Sequence, residues 1–207
     1  MQRLGSGPMD DAERHGAFMS ALITEHFVLQ TGADAATSEM GSRAALYLSV
    51  LGSTLVAMGF AAQSQAVFVP FVATVLPAVF VLGLFTVVRL VDALVEYNRF
   101  LAGIARVREQ YRALSPEAAA FFAAEHGRWP EEGGTPALGL GAFIAFITTT
   151  ASMVAFVNSV VAGAGVALLA GLVARDRTGL AVALGVVTAT VLMAAFFAYQ
   201  RWRHGMG

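Results

Sequence analysis

The 207-residue chain contains no cysteine and no lysine, and only 13% of its residues carry a charge. Without cysteine there are no disulfides, thiol nucleophiles, Fe–S clusters or cysteine-ligated zinc. All 13 basic residues are arginine in a sequence rich in Ala, Gly and Val, which reads as the coding bias of a GC-rich bacterial genome. A soluble domain carries roughly 25% charged residues, so about half the usual water-facing charge is missing. Much of the surface is therefore expected to face lipid. A net charge of −1 and a pI near 6.4 leave no concentrated basic face for nucleic acid. The HExxH, GxSxG and P-loop signatures are all absent, so no catalytic, cofactor or metal residue is assigned and the chain is not read as an enzyme.

What is there is apolar and long, with a mean hydropathy of +0.67. Between Arg43 and Arg89 lie 45 residues without a formal charge. One helix crosses a ~30 Å hydrocarbon core with about 20 residues, so this run predicts two helices, Ala44–Ala62 and Ala66–Val88. They are expected to form a tight hairpin around Gln63-Ser64-Gln65. A second charge-free run of 42 residues, Gly133–Ala174, predicts a third helix over Leu140–Val166, with looser apolar ends at Ala137–Gly139 and Ala167–Ala174. Gly163-Ala164-Gly165 lies too late in the run to divide it into two full crossings. Arg175-Asp176-Arg177 closes it, and Gly179–Tyr199 predicts the fourth span, with Tyr199 and Trp202 at an aromatic belt. The fold class is thus an all-α membrane protein of four transmembrane helices in two hairpins. The first apolar run starts too late for a cleavable signal peptide, so the N-terminus is expected to be retained.

The boundaries follow: 1–43 as an N-terminal helical segment, 44–88 as the first hairpin, 89–136 as a helical extension and linker, 137–200 as the second hairpin and 201–207 as a tail. Eleven arginines fall on the side of the termini and the 89–136 segment, against Arg175 and Arg177 on the other. This charge bias predicts an inner-membrane protein with both termini cytoplasmic.

The second helix is expected to continue past the membrane to Leu114, about 73 Å from Ala66 at 1.5 Å per residue. Leu90, Tyr97, Ile104 and Tyr111 are spaced by seven, with Leu94 and Leu101 between them and Phe100, Val107 and Leu114 beside them. Arg89–Asp92, Glu96–Arg99 and Arg106–Glu109 are spaced for i,i+3 pairs, and Arg89–Asp92 is expected to pair where the helix leaves the membrane. Ser115-Pro116 predicts an N-cap and first position for a short helix to His126 closed by Gly127, followed by a turn-rich linker, Trp129–Pro136. An amphipathic helix from about Met9 to Thr31 carries Phe18, Leu22 and Leu29 on one face, with a break expected at Gly32-Ala33-Asp34. It packs either on the 90–114 stripe of its own chain or, as a coiled coil, on that of another subunit.

Two patterns in the spans suggest association or passage. Ala45, Ser49, Ser53, Ala57 and Ala61 recur every fourth residue, a small-residue ridge suited to close helix packing, echoed by Ala181, Gly185 and Ala189. Thr148, Ser152, Asn158 and Ser159 form a polar face on the third span, which serves either as interhelical glue or as the lining of a narrow path. Pro70 and Pro77 are expected to kink the second span. No acidic, basic or histidine side chain lies within a predicted span core, which argues against ion-coupled transport. His15, His26, His126 and His204 have no metal-ligand spacing and read as solvated.

The stretch EHFVLQTGADAATSEMGSRAALYLSVLGSTLVAMGF, Glu25 to Phe60, resembles an uncharacterised family of small bacterial integral membrane proteins. The resemblance covers about a sixth of the chain and implies no activity. A helical hairpin followed by a cytoplasmic helix also looks like the layout of the two-span SLATT effectors of bacterial nucleotide signalling, although that layout has no second hairpin. The expected function is helix association in the bilayer, as a homo-oligomeric scaffold or effector or a passive pore. The alternative is a small-molecule transporter or membrane enzyme using the polar face. No cofactor is expected, and the only partners implied are lipid and further copies of the chain.

Overall fold

The computed structural model describes residues 10–122, 144, 147–173 and 176–205, and among them every regular element is helical. The elements are α1 (Asp11–Ala61), α2 (Gln65–Arg112), α3 (Pro116–Phe121), α4 (Thr150–Val173) and α5 (Thr178–Gly205). All but α3 are long and apolar enough to cross a membrane. Residues 62–64 make the turn between α1 and α2, with Ser64 N–H donating to the Ala61 carbonyl at 3.1 Å.

The chain packs as two compact units, Met1–Ala35 with Asn98–Pro136 and Ala36–Tyr97 with Ala137–Gly207. In the first unit, Leu22, His26, Leu29 and Ala33 of α1 are the turned-in positions, spaced alternately by four and three as in knobs-into-holes packing. On α2 the matching stripe is Leu101, Ile104 and Val107, all buried. The stripe is covered by α1 of the same chain. Leu29 lies over Gly103 and the Phe100 ring lies over Gly32.

That contact corrects the expected break at Gly32. α1 is one helix of 51 residues, about 77 Å long at 1.5 Å per residue. Gly32 is there for space: a Cβ at this position would sit 2.6 Å from the Phe100 ring. α2 likewise runs unbroken for 48 residues through Pro70 and Pro77, close to the expected extent. α3 begins as expected, with the Ser115 hydroxyl accepting from Ala118 N–H at 3.1 Å. Its expected end at His126 and Gly127, and the linker Trp129–Pro136, lie outside the described residues.

In the second unit, Tyr47, Leu51, Val79, Leu90, Val154 and Phe196 join in one core cluster. Leu90, Val91 and Ala93 are each 0% exposed, so α2 is buried on more than one face there. Large apolar side chains face outward elsewhere in the unit, among them Leu55, Val56, Phe60, Phe85 and Val186.

The third long helix differs from expectation. It runs Thr150–Val173, through Gly163-Ala164-Gly165 and past the expected end at Val166. Its start is set by Thr149, whose hydroxyl accepts from Ser152 N–H at 3.2 Å in N-cap fashion. Its register is set by α5. Gly163 and Gly185 bring two backbones together, Ala167 lies by Gly185, and Gly171 lies by Ala181. The small residues 163, 167 and 171 thus face 181, 185 and 189. The expected start at Leu140 and the apolar end at Ala137–Gly139 lie outside the described residues. α5 continues past Tyr199 to Gly205.

Candidate functional site

The polar side chains of the second unit gather in three layers. In the innermost, Tyr47 is 0% exposed and its hydroxyl donates to Asn158 Oδ1 at 3.1 Å. Asn158 Nδ2 donates to the Phe80 carbonyl of α2 at 3.2 Å. A side chain at Gly83 would overlap the Asn158 amide, so the glycine makes room for this bond. One amide thereby ties α1, α2 and α4. A buried amide left without partners would cost several kcal/mol in an apolar medium (~4–8), which is why both ends are used.

A second layer lies about 9 Å away along α4, six residues at 1.5 Å each. Ser152 and Thr149 share a hydroxyl–hydroxyl bond of 2.9 Å, and Gln200, itself 0% exposed, points Nε2 at Thr149 Oγ1 at 3.5 Å. Ser159, on the far side of Asn158, donates to the Ala155 carbonyl at 2.7 Å. Thr148 is placed differently from the other three members of the expected polar face. It precedes α4, is exposed, and its hydroxyl donates to the Ile144 carbonyl at 2.7 Å.

The third layer is ionic. Arg89 grips Glu39 with two bonds, Nε to Oε1 at 2.8 Å and Nη2 to Oε2 at 3.0 Å, and Arg43 adds a third at 2.7 Å. Glu96 lies 3.5 Å from Arg89. Asp92 pairs with Arg203 of α5. This corrects the expected Arg89–Asp92 pair. Neighbours at i,i+3 on an open helix gain little, about 0.2–0.5 kcal/mol, and here each finds a partner on another helix.

No protein-family model matches the chain, and no curated protein or solved structure matches it.

The bonds from Arg89 and then Arg43 hold the Glu39 carboxyl at about 2, below its ordinary value of 4.5. A depressed carboxyl stabilises the fold fully above pH 4.5, and the contribution is lost as pH falls from there towards 2. The site is partly exposed to solvent, so screening limits its worth to about 1 kcal/mol. Glu39→Gln is expected to lower the thermal midpoint at neutral pH and to have no effect near pH 2. Midpoints recorded across that range check this, and equal losses at both ends would refute it.

The expected four-residue ridge on α1 does not stay on one face. At 3.6 residues per turn each step of four rotates by about 40°. Ala45, Ser49 and Ser53 are exposed, Ala57 is half-buried and Ala61 is buried. One series of small residues that does remain outside has a spacing of seven: Ala17, Thr24, Thr31, Ser38, Ala45, Gly52 and Gly59, every one exposed. A Cβ placed at Gly52 or Gly59 would meet nothing within 4 Å. Sequence reasoning missed this series, which counting by seven in place of four would have found. Ala181, Gly185 and Ala189 of α5 behave otherwise, since they are spent against α4.

Proposed function

We propose that the protein works by helix association in a bacterial inner membrane, as a homo-oligomer whose protomers meet along the outward face of α1. In this reading the four long helices span the bilayer as two hairpins, with both termini and the first unit in the cytosol. The positive-inside bias supports that orientation. The distribution of side chains supports the bilayer: Asn158, Gln200, Ser152 and Ser159 turn inward and many large aliphatic groups turn out.

The observation that carries the association reading is the outward seven-residue series of small side chains on α1. Glycine within a helix costs roughly 1 kcal/mol relative to alanine. At Gly163, Gly185 and Gly83 close packing inside the chain offsets that cost. At Gly52 and Gly59 nothing among the described residues does. Close approach of another helix is the compensation such positions serve in membranes. The spacing suits a like helix, because a seven-residue repeat holds one seam between supercoiled helices. Ser152, Asn158 and Ser159 are buried, Asn158 bonds across to α1 and α2 and Ser159 bonds back to its own helix, which supports a packing role for the polar face over a water-filled path.

Gly52→Leu and Gly59→Leu fill only outward space, so each is expected to leave protomer stability unchanged or raised by up to ~1 kcal/mol. Together they should weaken self-association at least about tenfold, equivalent to ~1.4 kcal/mol. Subunit counting by photobleaching in nanodiscs reads this directly. A wild-type chain that stays monomeric at high protein-to-lipid ratio would end the proposal.

A further inference from the structure

The first unit holds a histidine that sequence reasoning took as solvated. His26 is half-buried on the turned-in face of α1, and its Nδ1 is shielded from solvent with no hydrogen-bond partner. Its ring meets Tyr111 of α2 edge-on, with centroids 6.4 Å apart and planes at 63°. Tyr111 in turn stacks on Phe122 after α3 at 5.5 Å. The neutral imidazole thus sits within an aromatic seam joining α1, α2 and the end of α3, next to the Leu29–Gly103 and Gly32–Phe100 contacts.

Among the described residues, the titratable groups around it offer a proton no counter-charge. On α2 the flanking groups are Arg108 and Tyr111. Glu25, the adjacent residue on α1, is exposed. On α3, the Glu117 carboxyl is engaged by its own backbone and by the Ser115 side chain.

We propose that His26 is a proton-operated latch, neutral when the N-terminal part of α1 is docked on the α2 tail and releasing it on protonation. A proton on Nδ1 would create a buried N–H with no acceptor, and a second cation beside Arg108. Burial first, and the Arg108 charge second, hold the His26 pKa below its ordinary 6.5. Burial also lowers that of Arg108. The sign follows. The undocked ring takes up its proton near pH 6.5 and the docked ring only at lower pH, so docking is complete above that value and weakens as pH falls through it. In the orientation proposed above, a drop in cytosolic pH would free this helix, but the latch itself does not depend on that orientation.

The absence of cysteine gives a clean labelling background. Spin labels at Thr24→Cys and Gln110→Cys, both exposed in this unit, report α1–α2 docking in the full chain in nanodiscs. One short distance is expected at about pH 8. A longer component should grow below pH 6.5, with the docked-to-undocked ratio falling by up to about tenfold per pH unit, the limit for one proton. His26→Gln and His26→Phe should both keep the short distance at about pH 5. A wild-type distribution unchanged between these pH values overturns the proposal, as does an unaltered pH response in either variant. Loss of the short distance in both variants at about pH 8 also overturns it, because the ring would then act by shape and not by charge.

Discussion

Gly163→Ala is expected to destabilise the protein by about 3 kcal/mol or more, whereas Gly171→Ala, two turns further along the same helix, should be neutral or stabilising. A Cβ at Gly163 would stand 2.5 Å from the Gly185 carbonyl oxygen, and one at Gly185 would stand 2.5 Å from the Gly163 oxygen. Both obstacles are backbone, so relief requires α4 and α5 to separate. Overpacking a tight core ordinarily costs ~1–3 kcal/mol, and here separation would also disturb the Ala167–Gly185 and Gly163–Ala189 contacts. At Gly171 the nearest atom, Ala181 Cβ, is 4.0 Å away, an ordinary van der Waals distance. The helix-propensity gain of up to ~1 kcal/mol then has nothing against it. Gly163→Leu and Gly185→Leu should lose folded protein altogether. Thermal midpoints and folded yield in mild detergent separate the cases, and similar losses at Gly163 and Gly171 would show that the backbones do not touch.

The same contrast shows what was legible beforehand. The first two long helices could be read because 45 charge-free residues leave few alternatives to two long apolar helices. The tail of α2 could be read because its heptad stripe persists without proline or a second glycine. Ser115-Pro116 could be read because a cap is a local device. What escaped was set by distant partners. Gly32 carries the composition of a break, and only the Phe100 ring makes it a packing site. Gly163, near the expected end of the third span, becomes a packing site only when Gly185 is placed against it. Arg89 and Asp92 have the spacing of a pair, yet Glu39 and Arg203 compete from other helices and win.

Within the candidate site, Asn158 could be singled out because an amide in a long apolar helix must find partners. Tyr47 could not be named as one of them. A tyrosine three residues into a span fits an aromatic belt equally well, and its inward direction depends on the rotation of α1. His26 was misjudged for a related reason. On a helix of moderate amphipathicity the boundary positions are ambiguous, and the Tyr111 ring that covers it lies on another helix.

Asn158→Leu alone is expected to cost about 1 kcal/mol, and Tyr47→Phe alone a similar amount, while the two together should lie close to wild type. Leucine keeps roughly the volume and branching of the amide, so the Gly83 recess stays filled and the polar term is isolated. In the first variant the Tyr47 hydroxyl is left buried without its acceptor; in the second, Oδ1 is left without its donor. A stranded buried group costs its full desolvation, whereas replacing both partners by apolar groups of similar shape is nearly neutral. The Phe80 carbonyl loses only an extra donor, because Leu84 N–H of the same helix faces it within α2. Interhelical bonds in membrane proteins couple by ~0.6 kcal/mol on average and up to ~1.7 kcal/mol, and a 0% exposed hydroxyl belongs at the upper end of that range. Unfolding free energies of the four members of the cycle give the coupling directly. Strictly additive losses would mean that the amide and hydroxyl act separately, and the polar face would then have to be explained by something other than helix packing. The doubly apolar variant also tests the competing reading, because a conduit lined by this face should lose its flux when Tyr47 and Asn158 are both made apolar, even though the helices remain assembled.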